Sequence, residues 1–84
     1  MNDALSDQAI LRQLTDVFRQ VFDDDTIVAR MDMTAADVKK WDSLSHVDMI
    51  VLLEETFGIK IPTREVARLR NVGDLVRCVQ ARKA

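Results

Sequence analysis

Seven apolar residues, Ile10, Leu11, Leu14, Val17, Phe18, Val21 and Phe22, recur at helical spacing with polar residues filling most of the gaps. A stripe of that kind must be covered, so the spacing predicts a helix over about residues 7–22 that needs partners along one face. Ser6 is placed to cap its start, and Asp7 suits the positive end of the helix dipole. Asp23, Asp24 and Asp25 close it, because three like charges at the negative end of the dipole disfavour another turn. A second helix is predicted from Asp42 or Ser43 to Phe57, with Val47, Ile50, Leu52, Leu53 and Phe57 on its buried side and Gly58 where a left-handed cap is wanted. Ile59 and Ile61 alternate with Lys60 as a short extended piece. Pro62 then fixes a turn, and Thr63 caps a brief third helix through about Leu69. Asn71 caps the last helix, where Val72, Leu75, Val76 and Val79 point inward while Asp74, Arg77, Gln80 and Arg82 face water.

The connection between the first two helices is long but not featureless. Ile27, Val28, Met31, Met33, Val38 and Trp41 can pack back on the helices, and Thr34 to Asp37 has the form of a capping box. The expected fold class is therefore all-α: a small antiparallel four-helix bundle with a long ordered loop between helices one and two and a short third helix. One domain is expected over residues 1–84, with its core at about 7–82. The central cluster should be Leu14, Phe18, Val47, Ile50, Leu53, Phe57, Ile61, Leu75 and Val79.

A chain of 84 residues can build one modest core but not a deep catalytic cleft on a scaffold. Its longest apolar run, Met49 to Leu53, is far too short to cross a bilayer. The first residues lack the basic start and apolar core of a secretory signal, which points to a cytoplasmic, monomeric protein. With one cysteine, Cys78, and one histidine, His46, neither an internal disulfide nor a structural zinc site is expected. Cys78 reads as a small, partly buried apolar residue. Charge is unevenly spread: residues 41–59 carry four acids and no base, whereas residues 60–84 carry seven bases against two acids. Such polarity suits electrostatic steering of protein partners, although solvated helix faces also look like this.

Ser43 is the residue with the most chemistry to offer. At a helix start its hydroxyl lies beside unpaired backbone N–H groups and the positive end of the dipole, so it is either a plain cap or an anchor for an esterified phosphate. Asp42, Ser43, His46 and Asp48 also suggest a hydrolase triad. A single exposed helix, however, supplies neither the oxyanion hole nor the substrate pocket that a triad requires. His46 is then expected to face solvent. Leu44 and Val51 lie two turns apart among acids, near Asp48 and Glu55, and read as a docking strip or as half-buried core. Trp41 either packs the loop onto the bundle or meets a partner.

The triplet Asp42-Ser43-Leu44, the helix from Val47 to Phe57, the exit Gly58-Ile59-Lys60-Ile61-Pro62 and the start Asn71-Val72, in that order, resemble the acyl carrier proteins. The resemblance runs from about residue 8 to about residue 80. It implies that Ser43 carries 4′-phosphopantetheine, with Asp42 as capping acid and Asp42 and Leu44 as its companions in the cofactor-attachment triplet. It implies a noncatalytic carrier whose arm thiol, not Cys78, holds acyl groups as thioesters. Its partners would be a phosphopantetheinyl transferase, which brings its own base, and acyl-transferring or acyl-modifying enzymes of fatty-acid, polyketide or related biosynthesis. It favours the docking reading of the second helix, with Leu44 and Val51 as anchors and Asp48, Glu54 and Glu55 steering. The chain departs from the family in having Arg64, Arg68 and Arg70 where acids are common, Ser45 where an acid often follows the triplet, and Trp41 before it. These departures suggest a specialised pathway, with the three arginines selecting partners. The competing reading is a helical protein-interaction or nucleic-acid-binding module using the basic C-terminal region, but no aromatic stacking platform accompanies the dispersed bases.

Overall fold

A computed structural model describes residues 6–83; residues 1–5 and 84, which the sequence assigns to the same domain, lie outside them. Helix α1 spans Asp7–Phe22, α2 Ser43–Phe57, α3 Thr63–Val66 and α4 Val72–Lys83, with a single 3-10 turn at Ala35–Asp37 in the long α1–α2 loop. The expected four-helix bundle is the observed architecture, and α1 is the element against which both α2 and α4 pack.

Local chemistry sets the boundaries. The Ser6 hydroxyl accepts the Ala9 N–H at 3.2 Å, which caps α1 as its sequence predicts. At the other end Asp23 adopts a left-handed conformation (φ 50°) and its N–H returns to the Arg19 carbonyl. The Asn71 side chain accepts the Asp74 N–H at 2.7 Å and caps α4. Helix α3 differs from expectation. Pro62, not Thr63, holds the cap position, without a side-chain bond, and its carbonyl accepts from Glu65 and Val66. The helix stops at Val66, and only Ala67 and Arg68 continue it, as turn.

The long loop is stitched down along its length. Thr15 donates its hydroxyl proton to the Leu11 carbonyl and accepts the Ala29 N–H, both at 2.9 Å. Arg19 Nε donates to the Ile27 carbonyl, and Lys40 Nζ to that of Phe22. Farther on, Thr34 and Asp37 form the predicted capping box. The Met33 and Met31 carbonyls accept the Val72 and Gly73 N–H groups at 2.9 Å, joining the loop to the first turn of α4. A Cβ on Gly73 would stand 3.1 Å from the Met31 carbonyl oxygen, a tight contact that the bare glycine avoids.

The core runs from Ile10 to Val79 through Leu14, Phe18, Met49, Leu53, Val72, Leu75 and Val76, all without solvent exposure. Trp41 closes one end, edge-on to Phe18 at 5.5 Å and tilted against Phe22 at 6.2 Å. One predicted core residue is displaced: Val47 is 54% exposed, and Met49 is buried in its place. The reason is rotational. At 3.6 residues per turn the line through 49, 50, 53 and 57 that meets α1 puts 47 on the same side as Leu44 and Val51. All four residues of α4 expected in water make polar contacts: Gln80 donates to Asp7, Arg82 pairs with Glu65, and Arg77 pairs with Asp74.

Candidate functional site

The start of α2 is built by a reciprocal cap. Asp42, in extended conformation (φ −126°), accepts the Ser45 N–H at 3.0 Å through its carboxylate, while its own N–H donates to the Ser45 hydroxyl oxygen at 2.8 Å. That hydroxyl in turn donates to the Lys40 carbonyl at 2.7 Å, fixing the chain that enters the helix. Ser45, which reads in sequence as a mere departure from an acidic pattern, is thus the partner that completes the cap. The Ser45 N–H and hydroxyl hold the Asp42 carboxyl below its ordinary value. Ser43 is the first helical residue, and it is exposed. No hydrogen bond engages its hydroxyl among the described residues. The amides of the first turn have no carbonyl one turn back to receive them, and the positive end of the helix dipole lies here.

Beside Ser43 opens a groove of about 510 Å³ whose walls include Trp41, His46, Val66, Leu69 and Arg70. His46 organises it. Its Nδ1 accepts the Trp41 indole N–H at 3.1 Å, which leaves Nε2 protonated and donating to the Val66 carbonyl at 3.1 Å. The two rings are stacked, 16° from parallel. His46 is therefore not the solvent-facing residue expected from sequence: it ties the loop, α2 and α3 together. Both ring nitrogens are committed, so it cannot serve as a base toward Ser43 in this arrangement.

The outward face of α2 carries Leu44 at 80%, Val47 at 54% and Val51 at 49% exposure, flanked by exposed Asp48 and Glu55. This is the strip the sequence identifies, widened by Val47. Glu54 is not part of it. Its carboxylate accepts the Ile61 N–H at 2.7 Å and so organises the turn after α2. The three arginines also separate. Arg64 is exposed on α3 and Arg70 lines the groove beside Ser43. Arg68 lines another groove, of about 530 Å³, against Glu65, Cys78 and Arg82. Cys78 is half-buried there, and burial pushes its thiol up, away from the reactive thiolate. Arg77 pairs with Asp74 and Arg82 with Glu65, which breaks up the basic surface that a nucleic-acid module would present. Among the described residues no cluster of metal-ligating side chains occurs, and no helix is long and apolar enough to cross a membrane.

Residues 9–79 match the family described as the phosphopantetheine attachment site. The chain is 38% identical over 73 residues to an acyl carrier protein of Acidothermus cellulolyticus, covering 87% of each. It is 34% identical over 77 residues to the meromycolate extension acyl carrier protein of Mycolicibacterium aurum, covering 92% of this chain and 79% of that one. Among solved structures, the holo acyl carrier protein from Geobacter metallireducens superposes with a TM-score of 0.80 at 48% identity, over 87% of this chain and 84% of that one. A bundle of this shape, with a capped serine-bearing helix start and matches of this extent, belongs to the acyl carrier protein family.

Proposed function

We propose that Ser43 is the attachment point of the 4′-phosphopantetheine arm with which this carrier holds its acyl groups. The observation that carries the assignment is the Ser43 hydroxyl itself, exposed and unbonded at the first position of a rigidly capped helix. The residues around it fit a phosphodiester: first-turn amides and the helix dipole favour negative charge, and the groove offers apolar walls next to the anchor. The arm supplies a thiol for thioester exchange. Asp42 holds the helix start in place so that a phosphopantetheinyl transferase meets the hydroxyl in one orientation. Leu44, Val47 and Val51 offer that enzyme, and the acyl-handling enzymes after it, an apolar strip. Asp48 and Glu55 steer basic sites toward it. With Glu54 turned inward, its part in docking is indirect, through the turn it holds. Arg64, Arg68 and Arg70 support a carrier reserved for a dedicated pathway, since a site that reads acids at these positions would meet like charge.

Intact-mass measurement after coexpression with a phosphopantetheinyl transferase tests the assignment. The mass should rise by one arm in the parent chain and not in Ser43→Ala, which should remain folded, since a first-turn serine contributes about 1 kcal/mol at most. An arm found on Ser43→Ala would overturn it. For the docking strip, Asp48→Lys with Glu55→Lys should slow modification without unfolding, and unchanged kinetics would exclude this face.

A further inference from the structure

Arg70 stands apart from the other arginines of the C-terminal region. Its backbone N–H donates to Asp74 Oδ2 at 3.0 Å, which fixes the chain at this point, while Asp74 Oδ1 takes the Arg77 guanidinium at 2.7 Å. The guanidinium of Arg70 is left without an ion pair or hydrogen bond among the described residues, and Arg70 lines the groove that Ser43 also lines. Trp41, Val66 and Leu69 line the same groove.

We propose that Arg70 is the anion contact for the phosphodiester borne on Ser43, and that the Trp41–Val66–Leu69 wall takes the branched apolar segment that follows it, so that the arm rests in the groove. The proposal rests on Ser43 being the attachment point. Its argument is complementarity. The phosphodiester keeps one negative charge at neutral pH, it is tethered in a groove that a residue with an uncommitted guanidinium also lines, and a guanidinium fork matches two phosphate oxygens. Asp42, which also lines the groove, already gives one carboxylate oxygen to the Ser45 N–H and makes no ion pair or hydrogen bond with Arg70 among the described residues. Trp41 cannot swing out to close the groove, because its indole is held by His46. Arg70 is a positioning residue: it sets where the thiol dwells between visits to partner enzymes.

Nuclear magnetic resonance on the full chain tests this. On conversion from apo to holo form, the Trp41 indole N–H and the amides of Val66, Leu69 and Arg70 should shift, and the phosphorus line should be broadened relative to a free phosphodiester arm. Arg70→Gln should remove more than half of those shifts and narrow the phosphorus line, while intact mass still shows complete modification. Arg68→Gln, in the other groove, should behave as the parent. Salt near 1 M, where screening acts within about 3 Å, should mimic Arg70→Gln in the parent protein. Identical shifts and phosphorus lines in parent and Arg70→Gln, or equal loss in Arg68→Gln, would overturn the contact while leaving the Ser43 assignment standing. Absence of any mass gain would overturn both.

Discussion

At the scale of single residues, His46 shows how a side chain can be legible in type and misread in role. Its sequence neighbours suggest either a catalytic partner for Ser43 or a bystander, yet it links Trp41 to the Val66 carbonyl. No periodicity announces this, because the bond partners lie five residues before and twenty residues after it on different elements. Ser45 was hidden for a related reason: a serine three positions into a helix is a weaker signal of a reciprocal cap than the glutamate or glutamine usually found there. Asp42, Ser43 and Leu44, by contrast, lie at the start of α2, where the sequence places a helix start. Replacing His46 with Leu leaves the Trp41 N–H without its acceptor, so stability should fall by about 1–3 kcal/mol in denaturant melts. Trp41 emission should shift to the red in the same variant, and an unaltered spectrum and midpoint would mean the link has no energetic weight.

At the scale of elements, helix existence and order were readable throughout, because α1, α2 and α4 bury strong stripes and carry recognisable caps. The facing of α2 was less so. Its run Met49-Ile50-Val51-Leu52-Leu53 is apolar on all sides, and only contact with α1 decides which residues turn inward. The decision is measurable: Met49→Ala should cost about 2–5 kcal/mol, as expected for a fully buried side chain, whereas Val47→Ala should stay within about 0.5 kcal/mol of the parent. The reverse order would place the helix about a third of a turn away from the described packing. The caps make a second measurable claim. Asp24 is held below its ordinary value by the Thr26 hydroxyl and N–H, Asp42 by Ser45, and Asp74 by the Arg70 N–H with Arg77 and Asn71 assisting. Native carboxyls with depressed values contribute stability that is complete above the unfolded value of about 3.9 and lost as pH falls through the lower native values. Thermal midpoints should therefore decline with acidification below about pH 4. Asn substituted at Asp42 and Asp74 should flatten that decline, and an equally steep fall in the double variant would place its origin elsewhere.

For the whole molecule, the charge division seen along the chain becomes a division in space only in part. The acidic strip of α2 is real, with Asp48 and Glu55 exposed, but the basic end is partly neutralised by the Glu65–Arg82 and Asp74–Arg77 pairs. Composition could count those charges and could not pair them. Lys60, Arg64, Arg68, Arg70 and Lys83 stay exposed and outside these pairs; of these, Arg64→Glu with Arg68→Glu should improve loading of the holo-protein by general fatty-acid enzymes several-fold, the effect of two exposed charge contacts. No gain in side-by-side acylation assays would make them ordinary surface charges.

The shortest helix has a consequence for how this carrier handles what it bears. With four helical residues and no side-chain cap, α3 owes its position to its neighbours, notably the His46 bond to Val66 and the Arg82 pair with Glu65. Two polar latches, one beside each groove, hold this short wall like a door. Hydrogen exchange should accordingly find the amides of residues 65–69 opening far more readily than the interior of α1, and faster still when either latch is cut by His46→Leu or Arg82→Gln. Exchange as slow as that of α1 would mean the door is fixed. The Val66 and Leu69 side of the space beside Ser43 is thus supported by a segment that two polar contacts hold in place, not by a helix stable on its own.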